Sequence, residues 1–293
     1  MARIGVEVGG TFTDLVEIGS RGVRVTKVPS TPARPDEGAF AAIRENGTPA
    51  AEIEDLAHGS TVATNAVLER KGFRTAFVTT EGFRDILLLQ RHGRSRIYDL
   101  EYAKPKPVVD RADSFEAPER VLSDGTVLTP LDREAVAAQL IPALEAGGYE
   151  AVAICLLNGY VNPVHEQALR EMIAAALPDL LVTLSSEVTR EFREFERAST
   201  TTLAAYVQPV IDRYIGRFEA ALREAGFEGR FSVMQSNGGR LPADAMRRNA
   251  VNALLSGPAA GVMGATRQLG RSGFGNLLTL DMGGTSTDVS VVS

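Results

Sequence analysis

Residues that form disulfides or bind metals through nitrogen and sulfur are scarce in this chain. Its 293 residues include one cysteine, three histidines and no tryptophan. The single cysteine, Cys155, excludes an intrachain disulfide and is typical of a protein from a reducing compartment. No apolar run approaches the ~20 residues of a transmembrane helix, and the N-terminal MARIGVEVGG lacks the apolar region of a signal peptide. These absences predict a cytoplasmic protein that makes no membrane contact.

Positive charge is also scarce relative to negative charge. Lysine and arginine number 31 against 37 aspartate and glutamate residues, which gives a formal net charge of −6. Nucleic-acid binding needs a concentrated basic surface, so this balance argues against it. The patterns G-x-x-x-x-G-K-[S/T], G-x-G-x-x-G at a helix start and H-E-x-x-H are absent. With 44% hydrophobic and 23% charged residues, the composition predicts a soluble globular chain of one large or two modest domains.

One unusual pattern occurs near both ends of the chain. VEVGGTFTDLVEI runs from Val6 to Ile18, and LTLDMGGTSTDVSVV runs from Leu278 to Val292. Each contains an acid, one intervening residue, Gly-Gly-Thr, one further intervening residue and then Thr-Asp, with apolar runs on both sides. Apolar runs joined by so short a turn predict a strand–turn–strand hairpin in each copy.

The turn chemistry of both copies suits a bound phosphate. Paired glycines leave backbone N–H groups uncovered, and the threonines add hydroxyl donors. The candidate phosphate-binding residues are Gly9, Gly10, Thr11, Thr13, Gly283, Gly284, Thr285 and Thr287. Glu7 and Asp281 would repel a bare polyphosphate, so their presence predicts a divalent cation such as Mg²⁺ between carboxylate and phosphate. The alternative is that each copy is a tight hairpin without a ligand.

A second candidate site lies in AHGSTVATNAV, residues 57–67. The pattern places it where a strand gives way to the N-terminus of a helix, a position that favours anions. Ser60, Thr61 and Asn65 are the candidate substrate-binding residues, and His58 is a candidate for proton transfer near neutral pH. The alternatives are a helix cap for Ser60 or Thr61 and a structural hydrogen bond for His58.

Strand and helix patterns predict an α/β fold. Residues 3–9, 12–18 and 22–28 read as three short strands of an antiparallel meander. Helical segments of about 10 to 15 residues then alternate with strands, which implies parallel pairing. Together these elements predict one mixed sheet with helices on its faces. Residues 190–226 predict a long helix whose charges alternate near its start and which is interrupted at Pro209.

The motifs resemble those of a known enzyme family. The doubled turn is similar to the paired phosphate loops of the actin, sugar kinase and Hsp70 ATPase superfamily. Six ordered segments resemble the A subunit of the hydantoinase and 5-oxoprolinase family, which includes acetone and acetophenone carboxylase subunits. These segments are GVEVGGTFTDLV, HGSTVATNAVLERKG, EFREFERASTTTLAAYVQPVIDRY, QSNGG, SGPAAG and LDMGGTSTDVS. The resemblance runs from Arg3 to the last residue.

The resemblance implies how the chain is organised. Residues 1–189 are expected to form an RNase H-like lobe, a mixed sheet flanked by helices. Residues 190–293 are expected to form a helical connection and the beginning of a second ATPase lobe. Because the family's subunits are considerably longer, the chain is expected to be a fragment, a split gene product or one piece of a larger assembly, and to show little or no turnover by itself. The implied protein partners are a B-type subunit or further copies of the chain.

The resemblance also implies ATP-dependent attack on an unreactive carbonyl. The γ-phosphoryl group goes to the carbonyl oxygen of a cyclic amide such as hydantoin or 5-oxoproline, and water then opens the ring. With a ketone enolate, carboxylation follows instead. The same phosphate loops would also serve a small-molecule kinase of that superfamily or a nucleotide-binding module without catalysis.

ATP and Mg²⁺ are the implied cofactors, with Glu7 and Asp281 as metal ligands. The candidate catalytic residues are Glu7, Asp14, His58, Asp281 and Asp288. The family normally has Asp at the position of Glu7, so the first carboxylate is one methylene further from the backbone in this chain.

Overall fold

The computed structural model describes residues 2–20, 22–31, 33–282 and 287–293. The chain forms two compact units. Met1–Leu68 and Val210–Ser293 make up the first, and Glu69–Pro209 make up the second. The division at residue 189 into a lobe and the beginning of another lobe stays a prediction. No described helix is long and apolar enough to cross a bilayer.

The strands are β1 (Ala2–Val8), β2 (Phe12–Gly19), β3 (Gly22–Pro29), β4 (Ile53–Ser60), β5 (Thr75–Thr80), β6 (Ser114–Ala117), β7 (Arg120–Val121), β8 (Val127–Thr129), β9 (Ala151–Cys155), β10 (Leu181–Leu184), β11 (Arg230–Met234), β12 (Arg240–Pro242), β13 (Leu277–Met282) and β14 (Thr287–Val292). The α-helices are α1 (Pro35–Asn46), α2 (Val62–Leu68), α3 (Ile86–Leu89), α4 (Arg133–Ala135), α5 (Ile141–Gly147), α6 (Val164–Ala176), α7 (Ser185–Val188), α8 (Glu194–Glu224), α9 (Ala243–Arg248) and α10 (Ser256–Arg271). Short 3₁₀ turns lie at Ala50–Glu52, Arg111–Asp113 and Ala250–Ala253, and a π-helical turn lies at Val136–Leu140.

A six-stranded mixed sheet in the order β12-β11-β4-β1-β2-β3 forms the base of the first unit. The predicted meander is confirmed, because β1 pairs antiparallel with β2, and β2 pairs antiparallel with β3. On its other side β1 is parallel to β4, which in turn is parallel to β11. This arrangement places Glu7 opposite Asp14 on one neighbour and opposite Gly59 on the other.

Alternation along β1 sets what each face of this sheet contacts. Ile4, Val6 and Val8 point to one face, are each 2% exposed and join Leu15 in a core with α1 and the C-terminal half of α8. Each such aliphatic side chain stabilises the fold by roughly 1.5–3 kcal/mol when buried. Because strand side chains alternate with a period of two, the same register turns Glu7 to the opposite face.

The second unit is built on a parallel sheet in the order β10-β9-β5-β6. Every residue of β5 and β9 is buried, and β9 is apolar throughout, whereas half of β5 is threonine. The predicted α/β class and parallel pairing are confirmed, but the strands are divided between two sheets where one was expected. Helix spacing indicates that a chain crosses over; it does not indicate to which sheet the chain returns.

The long helix α8 differs from its prediction, because it runs through Pro209 without interruption. Proline removes one backbone N–H and with it one helix hydrogen bond. Val207 and Ile211, on either side of Pro209, are 0% and 2% exposed. Their packing offsets the missing bond, since tertiary burial supplies most helix stability in proteins.

Arg197 belongs to the stretch of alternating charges near the start of α8. It is completely buried. Its guanidinium donates to the Leu156 carbonyl oxygen at 3.2 Å and lies 3.6 Å from the Glu166 carboxylate. The Ser185 hydroxyl donates to the same carboxylate at 2.6 Å. A buried charge is tolerated here because it is paired and hydrogen-bonded.

His58 of β4 lies in the aromatic core of the first unit. It is 0% exposed, its Nε2 is 2.7 Å from the Tyr214 hydroxyl oxygen, and its ring stacks on Phe218 with centroids 4.8 Å apart. Burial disfavours the imidazolium and lowers the pKa of His58 to about 4. These contacts identify His58 as a hydrogen-bonded core residue that is neutral at pH 7, and they do not match a role in proton transfer at neutral pH.

Replacement of His58 by Gln is expected to remove an acid-sensitive part of the stability. The unfolded chain protonates this imidazole below pH 6.5 and the folded chain only below about pH 4, so stability is lost as the pH falls between these values. The full loss is about 3 kcal/mol. Urea unfolding of His58→Gln at pH 7 and pH 4.5 measures it, with His92→Gln in an exposed loop as the control. The same acid loss in wild type and His58→Gln would contradict the assignment.

Candidate functional site

The two Gly-Gly-Thr copies belong to hairpins of identical register. In the first hairpin Glu7 stands opposite Asp14, and in the second Asp281 stands opposite Asp288. We call these four groups the hairpin carboxylates. Of the predicted phosphate-binding residues, Gly283, Gly284 and Thr285 lie outside the described residues.

A cavity of about 720 Å³ in the first unit is lined by residues of both hairpins. All four hairpin carboxylates border it, and so do Gly9, Gly10 and Thr11 of the first turn. The starts of α2 and α10 form the remaining wall. The structure thus brings together the acids and first-turn residues that the sequence singled out.

Main-chain hydrogen bonds hold the first turn at the cavity. The Gly9 N–H donates to the Phe12 carbonyl at 3.1 Å, and the Ser30 N–H donates to the Thr11 carbonyl at 2.9 Å. A Cβ on Gly9 would lie 3.0 Å from the Phe12 oxygen, so the turn closes this tightly only around a glycine. Thr13 is completely buried, with its hydroxyl 2.9 Å from Ser30 Oγ. It therefore joins the strands and does not line the cavity.

The Glu7 carboxylate occupies space that two glycines leave open. A Cβ on Gly59 of β4 would overlap Glu7 Oε2, and a Cβ on Gly257 at the start of α10 would lie 2.6 Å from Oε1. Burial, then the negative charges of Asp14 and Asp281, raise the pKa of Glu7 to about 7. An acid held in this state favours an added positive charge nearby.

Lys27 of β3 is a lining residue that sequence reasoning missed. Its Nζ lies 2.8 and 3.1 Å from the two carboxylate oxygens of Asp14, which it faces in the β2–β3 register. The available signal was the predicted meander itself, because the pairing of its second and third strands brings residue 27 beside residue 14.

Hydroxyl and amide groups at the start of α2 line the cavity opposite the first turn. The Thr61 hydroxyl donates to the Val8 carbonyl at 3.2 Å, and the Asn65 amide nitrogen donates to Thr61 Oγ1 at 3.3 Å. Thr64 Oγ1 accepts the Leu255 N–H at 2.9 Å, which ties α2 to the residue before α10. Two of the three predicted substrate residues, Thr61 and Asn65, are therefore at the cavity.

Three further residues predicted for the site lie away from the cavity lining. Ser60 is 6% exposed, and its Oγ accepts the Val62 N–H at 3.2 Å, so it caps the start of α2. His58 is in the core, on the face of β4 opposite the cavity. Thr287, the first residue of β14, is exposed but does not border the cavity.

The donor set at the cavity suits a hydrated divalent cation better than a preformed metal cage. In the described part of the chain, no group of three or more His, Cys, Asp or Glu residues could hold a metal ion. Mg²⁺ does not require such a group, because it commonly takes one or two carboxylates and completes its shell with water and phosphate oxygens. Glu7 and Asp281, which are close enough for their charges to interact, fit that pattern.

Comparisons with known proteins identify the family of this chain. The family model described as the hydantoinase/oxoprolinase N-terminal region matches residues 3–177, and the hydantoinase/oxoprolinase model matches residues 197–293. Caprolactamase subunit alpha of Pseudomonas jessenii is 37% identical over 305 residues, which cover 99% of this chain and 43% of that protein. The crystal structure of the ATP-dependent caprolactamase from that organism matches with a TM-score of 0.86 at 36% identity, over 99% of this chain and 43% of that one.

Two further relatives have different names. 5-Oxoprolinase 1 of Arabidopsis thaliana is 34% identical over 324 residues, covering 98% of this chain and 25% of that protein. The nucleotide-free structure of acetone carboxylase, an enzyme of ATP-dependent acetone carboxylation, matches with a TM-score of 0.89 at 27% identity, over 99% of this chain and 44% of that one. The chain thus spans less than half the length of each relative. The predicted resemblance is confirmed, and the chain belongs to the hydantoinase/oxoprolinase family.

Proposed function

We propose that the cavity binds the triphosphate of ATP together with Mg²⁺. The observation that carries the proposal is the convergence of two equivalent hairpins, whose four carboxylates border one cavity beside a glycine turn. Backbone N–H groups that no side chain covers, as at Gly10, are favourable partners for phosphate oxygens. The threonine hydroxyl of Thr11 adds a further donor.

The charge balance of the cavity explains why the proposal includes a metal. Four carboxylates face one lysine among the described lining residues, and a triphosphate would add about four negative charges near pH 7. Glu7 and Asp281 would hold the Mg²⁺, directly or through water. There the ion would neutralise charge on the transferred phosphoryl group.

The wall formed by α2 and α10 suits a cyclic amide as the second substrate. Asn65 offers amide donors and a carbonyl acceptor, which match the two polar groups of a ring amide. Leu68, Leu255 and Pro258 supply apolar surface for ring carbons. The names of the caprolactamase and 5-oxoprolinase relatives support this substrate class.

The proposed reaction begins when the amide carbonyl oxygen forms a bond to the γ-phosphorus and the bond from that phosphorus to the ADP oxygen breaks. Water then adds to the activated carbon. The C–N bond opens as the ring nitrogen takes a proton, and a second water hydrolyses the remaining acyl phosphate to carboxylate and phosphate. The chain's contribution is chiefly positioning and charge neutralisation, which are the main requirements of phosphoryl transfer.

The proposal extends to partners and location. One relative is named as an alpha subunit, which supports assembly with a B-type subunit or with further copies of the chain. The absence of nucleic-acid binding and the cytoplasmic location follow from the composition, and both stay predictions.

An ATP-dependent ketone carboxylase subunit is the second candidate, favoured by the match to acetone carboxylase. The phosphoryl group would then go to an enolate oxygen. The products distinguish the candidates. An amidohydrolase gives an opened ring and free phosphate, and a carboxylase gives a carboxylated ketone and free phosphate. A kinase gives a stable phosphorylated product, and a binding module gives none of these.

Replacement of Asp281 by Asn tests the nucleotide site directly. We expect it to weaken Mg²⁺·ATP binding by about tenfold or more, because one hairpin carboxylate that would bind the cation is lost. Titration calorimetry measures the affinity, with Asp244→Asn as the control, since Asp244 is 68% exposed and pairs with Arg248. Phosphate release by a full-length relative with caprolactam, 5-oxoproline, hydantoin, or acetone plus bicarbonate then identifies the substrate class. Equal affinities in the two variants would refute the assigned site.

Glu7→Gln is expected to be more stable than wild type at pH 8. Folded Glu7 releases its proton near pH 7 and unfolded Glu7 near pH 4.5, so wild-type stability falls as the pH rises between these values. The fall is about 3 kcal/mol and should be missing from Glu7→Gln. Urea unfolding at pH 5 and pH 8 checks it, and the exposed Glu45→Gln is the control. If the stability of Glu7→Gln falls between pH 5 and pH 8 as much as that of wild type, the Glu7 carboxylate is not desolvated.

Gly257→Ala is expected to disturb the proposed nucleotide site around Glu7. Gly261→Ala, in the same helix, is expected to leave that site intact. The methyl added at Gly257 would press on Glu7 Oε1, whereas a Cβ on Gly261 meets nothing within 4 Å. Alanine usually stabilises a helix by about 1 kcal/mol relative to glycine, so stability should rise only in Gly261→Ala. Thermal unfolding and Mg²⁺·ATP titration of both variants measure this. Matching results for the two would mean that α10 does not enclose Glu7.

A further inference from the structure

Lys27 is the one cationic side chain among the described residues that line the cavity. Its ammonium group donates to both oxygens of Asp14, at 2.8 and 3.1 Å, and lies 5.0 Å from the centre of the Phe12 ring. The side chains of Lys27 and Asp14 are 55% and 44% exposed. An ion pair this accessible adds little to stability. Its contribution to stability therefore does not explain why it lies at the cavity.

The backbone around Lys27 is fixed relative to the first turn. β3 pairs with β2 along its whole length, from Gly22 to Pro29. Just beyond β3, the Ser30 N–H donates to the Thr11 carbonyl of the turn, and the Ser30 hydroxyl is hydrogen-bonded to the Thr13 hydroxyl. The lysine therefore projects from a strand that is anchored to the phosphate-binding turn.

We propose that Lys27 is a positioning residue that neutralises Asp14 so that an anionic polyphosphate can enter beside it. This inference rests on the proposed function, because it assumes that the cavity admits phosphate. Lys27 holds Asp14 on the β3 side of the cavity. Glu7 and Asp281 then face the cation without competition from Asp14.

Removal of this lysine has opposite consequences for the two ligands. A cavity in which Asp14 is no longer neutralised attracts a divalent cation more strongly and repels a polyphosphate more strongly. If Lys27 only stabilised the β2–β3 hairpin, its removal would weaken the binding of both ligands or of neither. The direction of the two changes therefore separates a charge-balancing role from a structural one.

The test compares two probes on the intact chain. Free Mn²⁺ binding is followed by electron paramagnetic resonance without nucleotide, and tripolyphosphate binding is followed by calorimetry at fixed Mg²⁺. The variants are Lys27→Met, Lys27→Arg and Asp14→Asn. The control is Lys71→Met, because Lys71 is 74% exposed, pairs with Glu69 and does not line the cavity.

We expect Lys27→Met to bind Mn²⁺ about threefold to tenfold more tightly and tripolyphosphate more weakly by a similar factor. Lys27→Arg keeps the charge and should resemble wild type in both. Asp14→Asn should weaken Mn²⁺ binding and strengthen tripolyphosphate binding, because it leaves the charge of Lys27 unpaired. Lys71→Met should change neither. Both probes changing in the same direction, or not at all, in Lys27→Met would overturn the inference.

The outcomes also separate this inference from the proposed function. If wild type binds tripolyphosphate but Lys27→Met fails to show opposite changes, the role of Lys27 is wrong and the phosphate site stands. If wild type binds neither Mn²⁺ nor tripolyphosphate, the phosphate site itself is wrong and the role of Lys27 falls with it. If Lys27→Met does not fold, the opposite changes expected of Asp14→Asn decide the matter.

Discussion

The position of β1 between β2 and β4 is the constraint on which the rest of the first unit depends. With partners on both sides, β1 can shift its register only by turning Val6 and Val8 out of the core, at a cost of several kcal/mol. The same register turns Glu7 to the opposite face, beside Asp14 and over Gly59. The acid at the cavity is thus positioned by the hydrophobic residues on either side of it, and the chemistry of the site depends on the core.

Glu7 and His58 illustrate how this sheet disfavours charge on both faces. His58 stands opposite Val6 in the β1–β4 register, and Glu7 stands opposite Gly59, the next residue of β4. Burial lowers the pKa of His58 to about 4 and raises that of Glu7 to about 7. Their contributions to stability therefore change in opposite directions across mildly acidic pH. The extra methylene of Glu7, relative to Asp, is accommodated because Gly59 and Gly257 have no side chains to displace it.

Sequence reasoning succeeded where the signal is local. Apolar runs on both sides of Gly-Gly-Thr indicated the hairpins and their acids, and β4 gives way to α2 within residues 57–67 as expected. It failed where the outcome depends on distant packing. No local pattern tells whether His58 faces the core or the cavity, or whether burial carries a helix through Pro209. The enclosure of Glu7 by Gly257 joins segments that are far apart in sequence, so a single sequence contains no signal for it.

The two hairpins share a register but differ in what covers them. Val6 and Leu15 face each other at 2% and 0% exposure, whereas Leu280 and Val289 at the matching positions are 64% and 59% exposed. Acid therefore stands opposite acid in the buried hairpin and in the exposed one alike. Burial determines whether the acid of each hairpin is desolvated or hydrated. β4 and the start of α10 enclose Glu7, while Asp281 is exposed on a two-stranded sheet. One repeated turn thus supplies the cavity with a desolvated carboxylate and a hydrated one.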